Sequence, residues 1–354
     1  MKKTIVLTGG GTAGHIMPNL ALLPLLQKQF DQIFYLGAKE SMEEKIIKNY
    51  KNITFVAIPT TKLMRKLTIK NMAIPFKLIS SICKTKKILK EIKPNVIFCK
   101  GGFVSVPVAI AGKRLHIPVI SHESDLSMGL ANKIILRFAK TLCVSFKNTC
   151  HISKKCIYTG SPIREQIFKG NKNSIITKFK FNQSKPTVLF FGGSLGSKNI
   201  NNLVEKSLEE LTLKYNVLHI TGKNNKTNLK CDGYYAVEFA EKIEDFFALA
   251  DIVVCRGGAN SLFELLALKK PMLIIPLSKA ESRGDQIENA EYFKKMGYAY
   301  VMQEHEMSTQ KLLENLHNLN QNINKIKTAM SNDTAVDANN KIVEIIVKNV
   351  KIIN

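Results

Sequence analysis

The sequence is poor in acidic residues, and this imbalance limits the partners that the protein can have. It contains 52 Lys and Arg residues against 28 Asp and Glu residues, which gives a formal net charge of +24 over 354 residues. Such an excess favours anionic partners, among them nucleic acid, acidic lipid and diphosphate substrates. Lys residues run through the whole chain, so a general bias of composition accounts for part of the charge.

Patterns typical of metal sites and disulfide frameworks are also missing. The seven cysteines are scattered, and none forms a C-x-x-C pair, which argues against both a zinc site and a disulfide framework. Cys99 and Cys255 stand in apolar runs, where a reduced thiol serves as a small core residue, as expected in a reducing cytoplasm. No D-x-D carboxylate pair occurs, so we expect neither a metal ion nor another cofactor.

A hydrophobic run long enough to cross a membrane is absent as well. No stretch approaches the roughly 20 apolar residues that a spanning helix needs, and three glycines at residues 9–11 interrupt the only apolar run that could belong to a signal peptide. We therefore expect any membrane contact to be peripheral.

One segment has the composition of a lipid-contacting surface. Residues 62–93 contain ten Lys and Arg residues and one acid, with large apolar residues between them. Residues 62–76 are predicted to lie on anionic lipid headgroups, and residues 78–92 to form a helix whose apolar face belongs to the core.

Short apolar runs alternate with segments of helical periodicity along the chain. The strand candidates are residues 4–7, 33–36, 53–58, 96–99, 119–121 and 142–145 in the first half, and 187–191, 217–220, 234–239, 252–255 and 272–275 in the second. Apolar strands separated by helices predict parallel sheets covered on both faces. Because the pattern starts afresh near the middle of a long chain, we predict an α/β protein of two Rossmann-like, doubly wound parallel-sheet domains that face a cleft. The first is predicted to cover residues 1–160 and the second residues 161–336.

A glycine loop at residues 8–15 follows the first strand candidate and precedes a helix that we expect to begin near Pro18. Glycines let backbone N–H groups approach an anion closely, and a helix N-terminus adds a favourable dipole. His15, at the lip of this loop, is a candidate general base. The loop also matches the G-x-G-x-x-G spacing of dinucleotide-binding oxidoreductases. The acid expected at the end of the second strand comes late, as Glu40, which makes this the weaker interpretation.

Two further polar segments follow strand candidates in the first half. Gly101 and Gly102 would add backbone donors at the same edge of the sheet, and residues 121–125 read Ser-His-Glu-Ser-Asp. A solvated loop is the alternative for the second segment. Its position at the carboxyl end of a parallel strand favours an active site.

Residues 251–264 are the most informative stretch of the second half. A strand runs into a glycine pair and then into a helix for which Asn260 or Ser261 is the expected N-cap. The N-terminal amides of this helix can hold a nucleotide diphosphate, and Glu264 can accept hydrogen bonds from a ribose diol. The alternative is that Glu264 only complements the helix dipole. Residues 276–290 are predicted to form an irregular polar loop that reaches sugar hydroxyls.

This ordered set of segments resembles the MurG family of peptidoglycan N-acetylglucosaminyltransferases, within the GT-B glycosyltransferase superfamily, over nearly the whole chain. The matching segments are GGTAGH at 10–15 with Pro18, GGFVS at 101–105, HE at 122–123, GLANK at 129–133, GSPIR at 160–164, GGSLG at 192–196, CRGGANSLFE at 255–264, Gln286, and NA at 289–290. The resemblance implies inverting transfer of N-acetylglucosamine from UDP-N-acetylglucosamine to undecaprenyl-diphosphate-linked MurNAc-pentapeptide, the step from lipid I to lipid II. It also implies peripheral attachment at the cytoplasmic face of the cell membrane.

The resemblance assigns the acceptor to the first domain. The acceptor diphosphate would lie on Gly14, His15, Gly101 and Gly102. His15 is the expected catalytic base, with Glu123 as the alternative. A last helix, within residues 337–354, would pack back on this membrane-associating domain.

The UDP-sugar is assigned to the second domain. Glu264 would contact the ribose, Ser194 would lie near the diphosphate, and the backbone of Ala240 would meet uracil. The residues expected to contact the UDP-sugar are Thr12, Ala13, Gly14, Asp125, Arg164, Ser194, Ala240, Ala259, Asn260, Ser261, Leu262, Phe263, Glu264, Asp285 and Gln286.

Three of these residues depart from the family pattern. Ala13 stands where Gly is common, Asp125 where many members have Asn, and Asp285 where Gln is frequent. The last two departures concern the contacts to the sugar. A related GT-B enzyme that glycosylates another lipid, such as diacylglycerol, is the alternative function, since the same loops serve other acceptors. A nucleic-acid-binding module is the non-enzyme alternative suggested by the net charge. It leaves the paired glycine loops unexplained, and we expect no nucleic-acid partner.

Overall fold

A computed structural model of the chain describes residues 2–60, 74–178, 181–193, 196–333 and 337–351. Most of the predicted lipid-contacting segment, residues 62–73, and the predicted diphosphate contact Ser194 lie outside these residues. The chain divides into two units, and each has its own sheet. The first consists of Met1–Arg164 with Ala335–Asn354, and the second of Glu165–Thr334.

The first unit is built on a seven-stranded parallel sheet with the strand order β3-β2-β1-β4-β5-β6-β7. Its elements in chain order are β1 Thr4–Thr8, α1 Ala13–Leu26, β2 Gln32–Ala38, α2 Met42–Ile47, β3 Thr54–Ile58, α3 Ile74–Ile92, β4 Val96–Cys99, α4 Ser105–Arg114, β5 Val119–Glu123, α5 Leu130–Phe138, β6 Thr141–Val144, a 3-10 turn Lys147–Ile152 and β7 Cys156–Tyr158.

The second unit has a six-stranded parallel sheet with the strand order β10-β9-β8-β11-β12-β13. Its elements are α6 Asn173–Ile176, β8 Thr187–Phe191, α7 Lys198–Lys214, β9 Asn216–Ile220, β10 Tyr234–Val237, α8 Ile243–Leu249, β11 Ile252–Cys255, α9 Ala259–Ala267, β12 Met272–Ile274, α10 Asp285–Lys295, β13 Ala299–Val301, α11 Thr309–Gln321 and α12 Ile323–Ser331, with 3-10 turns at Glu165–Lys169 and Glu304–Glu306.

The central strands of both sheets are buried along their whole length, which explains why their sequences are continuously apolar. Every residue of β1, β4, β8 and β11 is buried. Strands covered by helices on both faces cannot alternate polar and apolar residues as a half-exposed strand does. The predicted α/β architecture with two parallel sheets is confirmed.

The last helix, α13 Ala338–Lys348, belongs to the first unit. Ile342, Val343 and Ile346 pack into the same core as Leu22 and Leu26 of α1. The chain therefore returns to its first sheet after it has completed the second one.

Three predictions about where helices begin are wrong. Helix α1 begins at Ala13 rather than near Pro18, and both Pro18 and Pro24 lie in its interior. A proline usually disfavours the interior of a helix, so its position here was a poor guide to where the helix begins. Helix α9 has Gly258 as its N-cap instead of Asn260 or Ser261. The expected polar loop 276–290 ends early, since α10 begins at Asp285.

Candidate functional site

In the first sheet, the chain order of the strands reverses between β1 and β4, which are direct neighbours. Crossover connections leave these two strands in opposite directions, so a crevice opens at their carboxyl ends. The glycine turn at Gly9–Thr12 follows β1, and the pair Gly101-Gly102 follows β4. Both predicted glycine segments of the first half therefore border the crevice.

The two glycine turns touch each other. A Cβ on Gly102, whose φ is +79°, would clash with the carbonyl oxygen of Gly10. Only glycine both adopts this left-handed backbone conformation readily and permits so close an approach. The close approach of the two loops therefore requires glycine at position 102.

Buried polar side chains hold the first turn in place. The Tyr35 hydroxyl donates to the Gly9 carbonyl at 2.5 Å, and the buried carboxylate of Glu43 accepts from the Gly11 N–H at 3.3 Å. A Cβ on Gly10 would clash with that carboxylate. The turn therefore offers fewer N–H donors to a bound anion than its glycine content suggests. Tyr35 and Glu43 lie in no local motif, and the sequence analysis missed them.

His15 lies in the first turn of α1, half-buried, with its backbone N–H donating to the Thr12 carbonyl at 3.1 Å. Its Nδ1 is 3.4 Å from Thr12 Oγ1. In the tautomer in which Nδ1–H donates to that hydroxyl, Nε2 carries the lone pair that can accept a proton. Ala13 and Gly14 precede His15 in the same helical turn.

Glu123, the alternative base, is buried at the end of β5 and accepts three hydrogen bonds. The donors are the N–H of Asp125 at 3.1 Å, the N–H of Gly129 at 2.9 Å and the side-chain amide of Asn132 at 3.0 Å. These hydrogen bonds stabilise the turn between β5 and α5. A substrate hydroxyl would therefore have to compete with these three donors for the two carboxylate oxygens.

Lys100 is a buried cation that the sequence analysis did not single out. It is 3% exposed, and its Nζ donates to the Ser124 hydroxyl at 2.5 Å. Burial lowers the pKa of Lys100 to about 8, and the carboxylates of Glu123 and Asp125 oppose this effect. The ammonium therefore offsets the negative charge of the polar segment at residues 121–125.

His122 points into the protein rather than toward a ligand. Its Nε2 lies 3.0 Å from the Gly160 carbonyl, and its buried Nδ1 has no hydrogen-bond partner. Burial, together with the nearby Lys100 ammonium, holds the pKa of His122 well below its usual value. The folded protein thus keeps a neutral imidazole whose Nε2–H donates to Gly160.

The second sheet reverses its chain order between β8 and β11. Here the crevice is bordered by the turn after β8, which begins with Gly192 and Gly193, and by residues 256–258 after β11. Helix α9 starts directly after the second turn, so its N-terminal N–H groups and positive dipole end lie at the carboxyl edge of the sheet. This combination is a general anion-binding arrangement.

Helix α10 fixes the turn after β11 through both backbone groups of Gly257. The Gln286 side-chain oxygen accepts from the Gly257 N–H at 3.2 Å and from the Leu277 N–H at 3.1 Å. The buried Asn289 amide donates to the Gly257 carbonyl at 3.1 Å. Gln286 can therefore present only its amide NH2 group to a sugar.

The other predicted contact residues differ in which of their groups are available to a bound ligand. Leu262 and Phe263 have buried side chains, so only their backbone is available. Asp285 pairs with Arg283 at 3.2 Å. Glu264 lies half-buried on α9, and Ala240 follows β10 at the same carboxyl edge of the sheet. Arg164, half-exposed, ends the first segment of the first unit.

The residues that the structure describes contain neither a membrane-spanning helix nor a cluster of metal ligands. No helix among them is long and apolar enough to span a membrane. Within the same residues, no group of three or more His, Cys, Asp and Glu side chains is arranged to hold a metal ion.

Both units match domains of one enzyme family. Residues 5–144 match the glycosyltransferase family 28 N-terminal domain, and residues 187–346 match the glycosyltransferase family 28 C-terminal domain. The chain belongs to glycosyltransferase family 28. The predicted resemblance is confirmed, and the chain is a glycosyltransferase whose two family domains contain the two crevices.

Relatives that align over the full length of the chain carry a common name. A protein of Clostridium botulinum (strain Alaska E43 / Type E3) is 45% identical, with 99% of each chain covered. One of Clostridium perfringens (strain ATCC 13124) is 46% identical, with 98% of this chain and 99% of the relative covered. Both are named UDP-N-acetylglucosamine--N-acetylmuramyl-(pentapeptide) pyrophosphoryl-undecaprenol N-acetylglucosamine transferase. The crystal structure of MurG from Acinetobacter baumannii is similar with a TM-score of 0.78 at 26% identity, covering 98% of this chain and 99% of that one.

The neutral state of His122 predicts a pH dependence of stability. Below pH 6.5 the unfolded chain binds a proton at His122 that the folded protein excludes, so the free energy of unfolding falls as the pH falls, by roughly 1.4 kcal/mol per pH unit for one such group. In His122→Gln, the side-chain N–H toward Gly160 is kept and the titration is removed. In urea unfolding of the whole protein, the free energy of unfolding should fall less steeply between pH 7.5 and 5 in this variant than in wild type. His151→Gln, which removes an exposed imidazole of the same unit, should behave like wild type, and equal slopes for all three proteins would contradict the prediction.

Proposed function

We propose that this protein transfers N-acetylglucosamine from UDP-N-acetylglucosamine to an undecaprenyl-diphosphate-linked MurNAc-pentapeptide, with inversion at the anomeric carbon. The proposal is supported by the common name of the full-length relatives. It is also supported by the geometry of the second unit, where a glycine turn and a helix N-terminus are held at the point of strand reversal. That single arrangement provides the donor site with the backbone donors that a nucleotide diphosphate requires.

In the proposed donor site, the diphosphate of UDP lies against the N-terminus of α9 and the turn after β8. Glu264, on the second turn of α9, accepts hydrogen bonds from the ribose. The NH2 group of Gln286 is turned toward the sugar, because its oxygen is occupied by Gly257 and Leu277. As the bond from the anomeric carbon to the diphosphate breaks, the growing negative charge on UDP is stabilised by the helix amides and by Arg164.

The acceptor hydroxyl requires a base, and we assign this role to His15. The hydroxyl oxygen forms the new bond to the anomeric carbon while its proton moves to His15 Nε2, and UDP departs with the electron pair of the broken bond. Glu123 is the poorer candidate, since three N–H donors occupy its carboxylate. We also assign the acceptor diphosphate to the first crevice, near Gly14 and the pair Gly101-Gly102.

A turnover assay tests the reaction and the base together. UDP release from UDP-N-acetylglucosamine should depend on a lipid I analogue, and His15→Ala should lower kcat by about 100-fold or more, in the range typical of a lost general base. Glu123→Gln, which disturbs the turn without removing a base, should be less damaging to kcat. If His15→Ala and wild type are equally active, His15 is not the base. If the enzyme turns over with diacylglycerol but not with lipid I, the proposed acceptor is wrong.

The proposed acceptor is a membrane lipid, and we propose that the protein lies peripherally on the cytoplasmic face of the cell membrane. Two large apolar side chains at the start of α3 support a contact with lipid. Phe76 is 77% exposed and Ile79 is 58% exposed, and Lys77 lies between them. Exposed apolar residues among lysines favour insertion at an anionic interface.

Vesicle sedimentation tests this surface. Binding to vesicles rich in phosphatidylglycerol should exceed binding to phosphatidylcholine vesicles and should fall as salt rises. Phe76→Ser/Ile79→Ser should bind at least several-fold more weakly. Leu213→Ser, which removes a 74% exposed apolar side chain from the second unit, is the matched control. Equal loss in both variants would show that α3 has no special role.

A further inference from the structure

A buried ion pair lies at the carboxyl edge of the second sheet, next to the proposed donor site. Arg256, the first residue after β11, is 8% exposed. Its guanidinium lies 2.7 Å from Glu304 Oε1, and Glu304 comes from the 3-10 turn that follows β13. None of the nucleotide contacts proposed above involves either residue.

The guanidinium joins four segments of the chain. One NH2 group donates to the Ser197 hydroxyl at 2.7 Å, and the other donates to the Ile275 carbonyl at 3.1 Å, just beyond β12. Ser197 is the N-cap of α7, and its hydroxyl also accepts from the Ile200 N–H at 3.3 Å. Arg256 thus connects the turn after β11 to the turn after β8 and to the end of β12.

Glu304 extends the same network from the opposite side. Its Oε1 also accepts from the Asn199 amide at 2.8 Å, and its Oε2 accepts from the Ser278 N–H at 3.1 Å. Burial opposes the ionisation of Glu304, but the hydrogen bonds from Asn199 and Arg256 outweigh it and hold the pKa of the carboxyl below its usual value. The pair is therefore charged, and both partners use their hydrogen-bonding groups within the site.

A buried ion pair is weak evidence for stability, because desolvation of the two charges can cancel their attraction. The position of this pair favours another role. It links the two turns that border the second crevice, at the edge where the helix α9 N-terminus and the β8 turn would meet a diphosphate. Planar, multidentate Arg contacts fix geometry as well as charge.

We propose that Arg256 and Glu304 are positioning residues for the nucleotide sugar: their ion pair sets the distance between the turns after β8 and β11, so that both can reach one UDP diphosphate. The inference rests on the proposed function, since it takes UDP-N-acetylglucosamine as the donor. Neither side chain touches the substrate in this account. Each acts through the backbone turns that it holds.

Kinetics with both substrates test the pair. Glu304→Ala should raise the donor KM and the Kd for UDP by about 10- to 100-fold, since a displacement of the order of 1 Å is enough for such a loss. The acceptor KM should change less than about threefold. Glu304→Gln, which keeps the side-chain volume and one acceptor oxygen, should be intermediate and carries the test if Glu304→Ala does not fold. Arg256→Lys should resemble Glu304→Gln, because one ammonium cannot reach all the acceptors.

A carboxylate at the opposite edge of the same sheet supplies the control. Asp251 accepts from the Thr187 N–H at 2.8 Å, at the amino ends of β11 and β8. Asp251→Asn should lower Tm without changing either KM. If the Glu304 variants lower Tm but leave the donor KM and UDP affinity unchanged, the pair is only structural and the inference is wrong. If the wild-type protein itself binds no UDP, the proposed donor is wrong. That outcome contradicts the proposed function and is distinct from a failure of the positioning role alone.

Discussion

The reversal of strand order beside the first strand of each sheet is the constraint on which the rest of this structure depends. At β1 and β4, and again at β8 and β11, neighbouring parallel strands send their connections to opposite sides. The carboxyl ends of the two strands are left uncovered, and the segments that follow must turn within a few residues. Glycines satisfy that requirement, and the helices that begin after the turns bring their positive ends to the same edge.

Different types of side chain fix the turns that border the two crevices. In the first unit, the Tyr35 hydroxyl donates to a backbone carbonyl of the turns. The carboxylates of Glu43 and Glu123 accept from backbone N–H groups there. In the second, the turn after β11 is held by the amides of α10 and by the guanidinium of Arg256. Buried polar groups are costly without partners, so the concentration of satisfied ones at these edges indicates turns whose geometry matters.

The sequence was sufficient to predict the sheets, because apolar strands buried on both faces leave an unambiguous pattern. The sequence also located the glycine turns, His15 and the α9 segment, because each lies within a few residues of the end of a predicted strand. It failed at helix starts, where the glycine at position 258 caps α9 although Asn260 and Ser261 are better caps by propensity. It also missed β7 and β13, short strands at sheet edges. Glu43, Lys100 and Glu304 could not be assigned from sequence, since their partners lie far away in the chain and only the fold brings them together.

The central claim is that the two crevices divide the substrates, with the nucleotide sugar on the second unit. Hydrogen–deuterium exchange with and without UDP-N-acetylglucosamine, in the absence of acceptor, tests it most directly. We expect slower exchange in peptides that contain the turns after β8 and β11 and the start of α9, with little change in the turn after β4. Protection confined to the turns of the first sheet would contradict the assignment of the nucleotide sugar to the second unit.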